Sequence, residues 1–351
     1  SVGADSVHIS DFVASALDRT TYLKYHELLI QARDGVIQGT LEESNSEYSA
    51  LPDPYEFIDS VQEEWGAVPQ TELSPLMEEI LSNNASMILS DLRQHYIHAH
   101  ALDIYAWIAL TNRYGAIVAM SDRTQSFSHY EESWWQDTGA NGSYFGEIST
   151  DVSSGVTGLR VAVRLIDEVG ELKGIIFAFI DMVAIANEAV YLGEVYQTTE
   201  LRVVTPEGRL IFSKGAFMML EDVSTRDFYA RATGFSGYFI VLENDHEKLF
   251  SYTHTAGYFQ YGGNDLTVFL AVRTAEVLGT VQELNDNVMT AFALVIATAG
   301  AVSVWRTSSI SSRIRLLVGA ADEEVPEQGV ADGHRAGQLP DFLNGTAVQV
   351  K

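Results

Sequence analysis

The stretch LRVAVRLIDEVGELKGIIFAFIDM, residues 159–182, decides the fold class. Two apolar runs flank Glu168, Val169 and Gly170, the pattern of two antiparallel strands joined by a tight turn. Upstream, IYAWIALTNRYGAIVAMS at 104–121 is another pair of apolar runs, about a turn at Asn112 to Gly115. LRVVTPEGRLIFS at 201–213 repeats that scheme with Pro206-Glu207-Gly208 as its turn, Gly208 following Gly115 by 93 residues. Then come Gly237 to Leu242, a polar turn from Glu243 to Glu247, Phe250 to His254, and LTVFLAVRT at 266–274. Two copies of one hairpin imply two similar sheets. An α+β fold is expected, each half a small antiparallel sheet with helices on one side.

Helical patterns flank the strands. Residues 10–48 predict one long N-terminal helix, with Ser10 or Asp11 able to cap it and Gly35 and Gly39 weakening its end. After the turn-rich Leu51-Pro52-Asp53-Pro54, a second helix is expected over about 74–100. From Ala275 the chain reads as helix into VMTAFALVIATAGAVSVW, residues 288–305, which carries no charge and sits at the lower length limit of a transmembrane helix. Arg306, Arg313 and Arg315 follow with no acid among them, which favours the cytoplasmic side for residues 306–351 and an extracytoplasmic place for 1–287.

Composition removes several function classes. Against 48 Asp and Glu stand 21 Lys and Arg, a formal charge of -27 that repels nucleic-acid phosphates, so no nucleic acid is expected as a partner. Only five of the basic residues are Lys, a balance that high-salt adaptation also produces. The absence of cysteine excludes thiol catalysis, disulfides and cysteine-ligated metals. His95 and His98 share a helical face but lack an HExxH pattern or a spaced carboxylate, so no metal is expected. Gly234-Phe235-Ser236-Gly237 has the wrong spacing for a nucleophile elbow, and no P-loop or GxGxxG occurs, so neither an enzyme nor a cofactor is expected.

The stretch HYEESWWQDTGANGSYFGEISTD at 129–151, followed by the 159–182 hairpin, resembles the double Cache sensor module of bacterial and archaeal receptors. The shared features are an acidic residue before Trp-Trp, a Gly-rich turn, a strand-plus-Asp segment, and then a strand, an Asp-Gly-type turn and a Gly-led closing strand. The resemblance covers about residues 10–287. It implies a long helix over 1–48, a membrane-distal PAS-like lobe over 49–190, and a proximal lobe with exit helix over 191–287. The transmembrane helix at 288–305 would lead into 306–351, where SSISSRIRLLVGAADEE looks like the start of a HAMP linker before a polar tail. The implied function is the ligand-sensing region of a transmembrane receptor of histidine kinase, chemoreceptor or cyclase/phosphatase type, as a homodimer. The alternative is a ligand-free structural or assembly subunit of a membrane complex.

In amino-acid-sensing members of that family, an Arg two residues before the aromatic pair holds the ligand carboxylate and an Asp on the closing strand takes the ammonium. Here Trp134 and Trp135 match the aromatic pair, Asp181 matches the Asp, and Glu132 stands where the Arg would be. That reversal favours a cationic or neutral small molecule. The expected ligand-binding residues are Tyr130, Trp134, Trp135, Tyr144, Asp151 and Asp181. Adjacent Trp residues diverge on either a strand or a helix, so one of the pair is expected in the core.

Overall fold

Helix α1 (Val2–Gln31) opens the fold, and the chain does not continue as one helix to 48. The computed structural model describes residues 2–100, 102–214 and 217–277, Gly279, and positions 289–291, 294, 295 and 298. Asp34 makes the break: its carboxylate accepts the backbone N–H groups of Val36 and Ile37 and caps α2 (Gly35–Ser49). At the other end the helix already starts at Val2, so Ser10 lies inside it, buried, its hydroxyl donating to the Val7 carbonyl rather than capping. Asp53 caps α3 (Pro54–Ala67), which buries Ile58, Val61 and Trp65 on one face. The expected helix over 74–100 is two, α4 (Pro75–Ser82) and α5 (Asn84–His100). Asn83 separates them, accepting from the Ser86 N–H and donating to the Val118 carbonyl.

The first sheet is built from β1 (Tyr105–Asn112), β2 (Ile117–Met120), β3 (Ser143–Phe145), β4 (Ser149–Thr150), β5 (Thr157–Ile166) and β6 (Leu172–Asp181). Helix α6 (Ser133–Asn141) interrupts it after β2, and α7 (Met182–Gly193) leads out of it. The second sheet comprises β7 (Glu200–Val204), β8 (Leu210–Ser213), β9 (Ser236–Glu243), β10 (His246–His254) and β11 (Thr267–Arg273), with the short α8 (Asp227–Ala230) before β9. Strand order is β2-β1-β6-β5-β3, with β4 also on β5, in the first and β8-β7-β11-β10-β9 in the second, all antiparallel. The internal repeat is therefore real in topology. Its two turns also match: Gly115 and Gly208, with φ of +84° and +78°, donate their N–H groups to the Asn112 and Thr205 carbonyls three residues back.

Helices cover the first sheet on both faces, not on one. Ile176, Ala178 and Ile180 of β6 join a core with α1, α2, α5 and α7, while Ile175, Phe177 and Phe179 join another with α3, α4 and α6. A strand buried on both faces shows no alternation, which is why IIFAFI reads as an unbroken apolar run. The α1 core continues beneath the second sheet through Leu201, Val268 and Leu270, so residues 1–281 form one compact unit. The expected span at 288–305 lies outside the described residues except for the six positions given above, and 306–351 lies wholly outside them. Among the described residues no helix is long and apolar enough to cross a membrane.

Candidate functional site

Glu132 occupies the N-cap position of α6 without capping it. Its side chain turns inward instead, Oε1 accepting from His129 Nδ1 at 2.6 Å and Oε2 from the Trp134 indole N–H and from Arg160 Nη1 at 3.4 Å. Arg160 comes from β5, on the pleat face it shares with Ala162, and lays its guanidinium 4.5 Å from the Trp134 ring centroid. The Trp134 ring packs on Phe177 at 4.7 Å and His129 at 5.3 Å.

Burial holds the His129 imidazole below its ordinary pKa, so the neutral ring donates Nδ1–H and Glu132 carries the charge. Burial pushes Glu132 up, but its bonds from His129 and Trp134 and the Arg160 charge outweigh that and hold it below the usual carboxylate value. Desolvation lowers the Arg160 pKa against the opposing pull of Glu132, Tyr144 and Asp151. Asp151, itself buried, uses Oδ2 to accept from the Trp107 indole at 3.1 Å, from both the Ser153 and Ser154 hydroxyls and from the Ser154 N–H; together these outweigh burial and keep it ionised.

Both oxygens of Glu132 and Oδ2 of Asp151 are thus occupied, and most of the Arg160 donors are not. A guanidinium offers five N–H groups. Arg160 uses one, at 3.4 Å, and its buried Nε makes no regular hydrogen bond; the buried Nε2 of His129, the acceptor of the neutral ring, is unpaired as well. An unsatisfied buried polar group costs about 1–3 kcal/mol. The second lobe shows the same motif closed. Arg202 lies 4.6 Å from the Phe228 ring centroid, but it bonds both oxygens of Glu243 at 2.9 and 2.8 Å and Glu200 at 2.9 Å. Buried Lys248 ties the same two carboxylates together at 2.7 and 2.9 Å. Two cations there meet two carboxylates.

Of the expected residues, Trp134 lies in this cluster with the Tyr144 ring 6.5 Å away, and Asp151 is linked to it through the Trp107 indole, whose ring lies 5.4 Å from Phe177. Both members of the pair are in the core, not one: Trp134 is 4% exposed and Trp135 9%, the latter with its indole N–H on Thr111 Oγ1 at 2.9 Å. Tyr130 is held elsewhere, its hydroxyl on Asp59 and its ring 4.8 Å from Tyr55. Asp181 caps α7 through Oδ1, which accepts from Val183 and Ala184 at 2.7 and 3.2 Å. Sequence reasoning missed Arg160 and His129. The available signal was a pair of arginines, Arg160 and Arg164, on one face of an otherwise apolar strand, LRVAVRLI. The expectation of a cationic or neutral ligand took Glu132 as a free carboxylate, and that premise fails: three donors already bond it, one of them the Arg160 guanidinium.

No family model and no curated protein matches this chain. Among solved structures it is similar to the ligand-binding domain of the Pseudomonas aeruginosa PAO1 amino acid chemoreceptor PctB in complex with L-Arg, at 15% identity over 74% of this chain and 97% of that one, TM-score 0.38. It is also similar to the ligand-binding domain of Pseudomonas fluorescens chemoreceptor CtaA in complex with L-alanine, at 12% identity over 64% and 98%, TM-score 0.38. A third is the sensory domain of the Campylobacter jejuni chemoreceptor Tlp3 with isoleucine bound, at 14% identity over 76% and 98%, TM-score 0.36. Superpositions this loose carry no argument about the site, which is read from its own side chains.

Proposed function

We propose that the chain is the extracytoplasmic ligand-sensing region of a transmembrane receptor, and that its first lobe binds a small molecule bearing acceptor oxygens, a carboxylate foremost, at Arg160. The observation that supports this reading is the imbalance at that cluster: the Glu132 carboxylate filled, guanidinium donors open, beside an aromatic wall. Native cores leave few buried polar groups unpaired, and a ligand that supplies the missing acceptors relieves the cost. Trp134 is the apolar wall and Tyr144 and Asp151 are lateral polar contacts. Asp181 remains a counter-charge for an ammonium group only through the oxygen not used in capping α7.

The closed charge cluster of the second lobe makes that lobe the stiff base rather than a second sensor. The proposal places residues 1–287 outside the membrane, the span at 288–305, and 306–351 in the cytoplasm. Two copies pair through the outer stripe of α1, where Phe12, Leu23 and Ile30 are exposed. A thermal-shift screen against small carboxylates, amino acids, amines and divalent cations tests it. A binder of the folded state at about 100 times its dissociation constant stabilises by about 2.7 kcal/mol. Stabilisation by a carboxylate supports the reading; stabilisation by amines alone, or by nothing in the panel, favours the ligand-free assembly subunit or another site.

A further inference from the structure

A cleft of about 400 Å³ opens where α2, α3 and α4 meet β2. Its floor is apolar, with Val61, Ile80 and Phe127. On one wall Tyr48 and Phe57 stand edge to face, ring centroids 5.7 Å apart. Its rim carries Glu43, Glu47 and Glu79, all exposed, and no Lys, Arg or His lines it. Among the described residues none of these three carboxylates is in an ion pair, whereas the neighbouring Glu42 bonds Lys173 at 2.5 Å. Glu43 and Glu47 are one helical turn apart on α2, a spacing at which like charges repel. Of the neutral polar groups of the lining, Asn83 is engaged with Val118 and Ser86 and Ser44 with Asn112, while Thr40 and Asn84 add polar edges. What the cleft still offers is negative charge, aromatic rings and an apolar floor. The Tyr48 hydroxyl, pushed up to about 12 by burial and then by Glu47, stays neutral and adds no charge of its own.

We propose that this cleft binds a small organic cation, its ammonium group between the three glutamates and the rings of Tyr48 and Phe57, its hydrocarbon body on Val61 and Ile80. Cations are drawn to aromatic faces, most strongly where water is partly excluded. The three carboxylates concentrate positive charge at the mouth, and the floor selects an organic cation over a hydrated metal ion. This site is separate from Arg160 and independent of the ligand bound there.

Calorimetric titration of the full chain with benzyltrimethylammonium chloride at constant ionic strength tests the proposal. Saturable one-site binding is expected, at least about tenfold weaker in a Glu43→Gln/Glu47→Gln/Glu79→Gln variant and unchanged in Arg160→Met. Benzyl alcohol, which lacks the charge, and tetramethylammonium, which lacks the apolar body, are each expected to bind at least about tenfold more weakly. Should circular dichroism show the triple variant misfolded, Phe57→Ala serves in its place, with the same loss expected. The proposal is overturned by no saturable heat, by tetramethylammonium binding as tightly as the benzyl compound (the diffuse field of a chain of charge -27 acting alone), or by binding that survives the carboxylate and Phe57 variants.

Discussion

Replacing Asp18 by Asn isolates one buried charge on α1. Asp18 is 3% exposed, and its Oδ2 accepts the N–H groups of Ala256 and Gly257 at 2.9 and 2.7 Å, pinning the loop between β10 and β11 to the helix. Burial raises its pKa; the two N–H bonds lower it and the Asp265 charge raises it further, leaving it at about 6 against an ordinary 3.8. Between those values the folded state holds a proton that the unfolded chain has lost, so stability falls as pH rises from about 4 to about 6 and is flat above. At 1.36 kcal/mol per pH unit the full loss is about 3 kcal/mol. Asn keeps an acceptor for the two N–H groups and cannot ionise. Guanidinium chloride unfolding of both proteins from about pH 4 to about pH 8 should therefore show the variant gaining about 2.5 kcal/mol on the wild type, nearly all of it below pH 7. Comparing the two cancels every other titrating group. A difference that does not change with pH refutes the reasoning.

Other substitutions probe the sheets. Gly158 lies where an added Cβ would sit 1.8 Å from the Ile180 carbonyl oxygen, so Gly158→Ala should cost about 3 kcal/mol in denaturant unfolding. Gly39, in α2 with nothing within 4 Å of its would-be Cβ, should give about 0.5–1 kcal/mol of added stability as Ala. Lys248→Met breaks the cluster of the second lobe and should destabilise by about 2 kcal/mol, below the range for fully buried pairs because Glu200 and Glu243 keep some exposure. Burial pushes Glu243 up, but Arg202 and Lys248 outweigh it and hold it at about 2, so its contribution is present above about pH 4.5 and fades as pH falls towards 2. The Lys248 variant should begin acid unfolding at higher pH, followed by circular dichroism.

Both hairpins of the first sheet, and the doubling of the sheet, were legible because turn residues and apolar runs are local signals. Asn112 to Gly115 and Pro206 to Gly208 mark the same turn, and the backbone confirms the equivalence. The helices were less legible. Asp34 is a strong cap, yet reading it requires weighing one residue against apolar spacing that continues on both sides. Helix α3 has the legible spacing of Ile58, Val61 and Trp65, but the turn signals at Pro52 and Pro54 immediately before it mask its start. At the candidate site, Trp134, Tyr144 and Asp151 are expected from a family pattern carried by neighbouring residues, and the structure brings Trp134 and Tyr144 near each other. Arg160 is not among those expected, because its meeting with Glu132 joins positions 28 apart through strand pairing that no local pattern encodes. The opposite charge at Glu132 therefore looked unopposed when it is not.

The central claim is that Arg160 is the open donor of a carboxylate site. Its most direct test is calorimetric titration of the chain, and of Arg160→Met and Arg160→Lys, with a panel of small carboxylates including amino acids. The account expects saturable binding of at least one carboxylate, with affinity falling by about 100-fold in the Met variant and by less in the Lys variant, which keeps the charge but not the fork. Carboxylate binding that is indifferent to both substitutions, or binding confined to compounds without an acceptor oxygen, would contradict it.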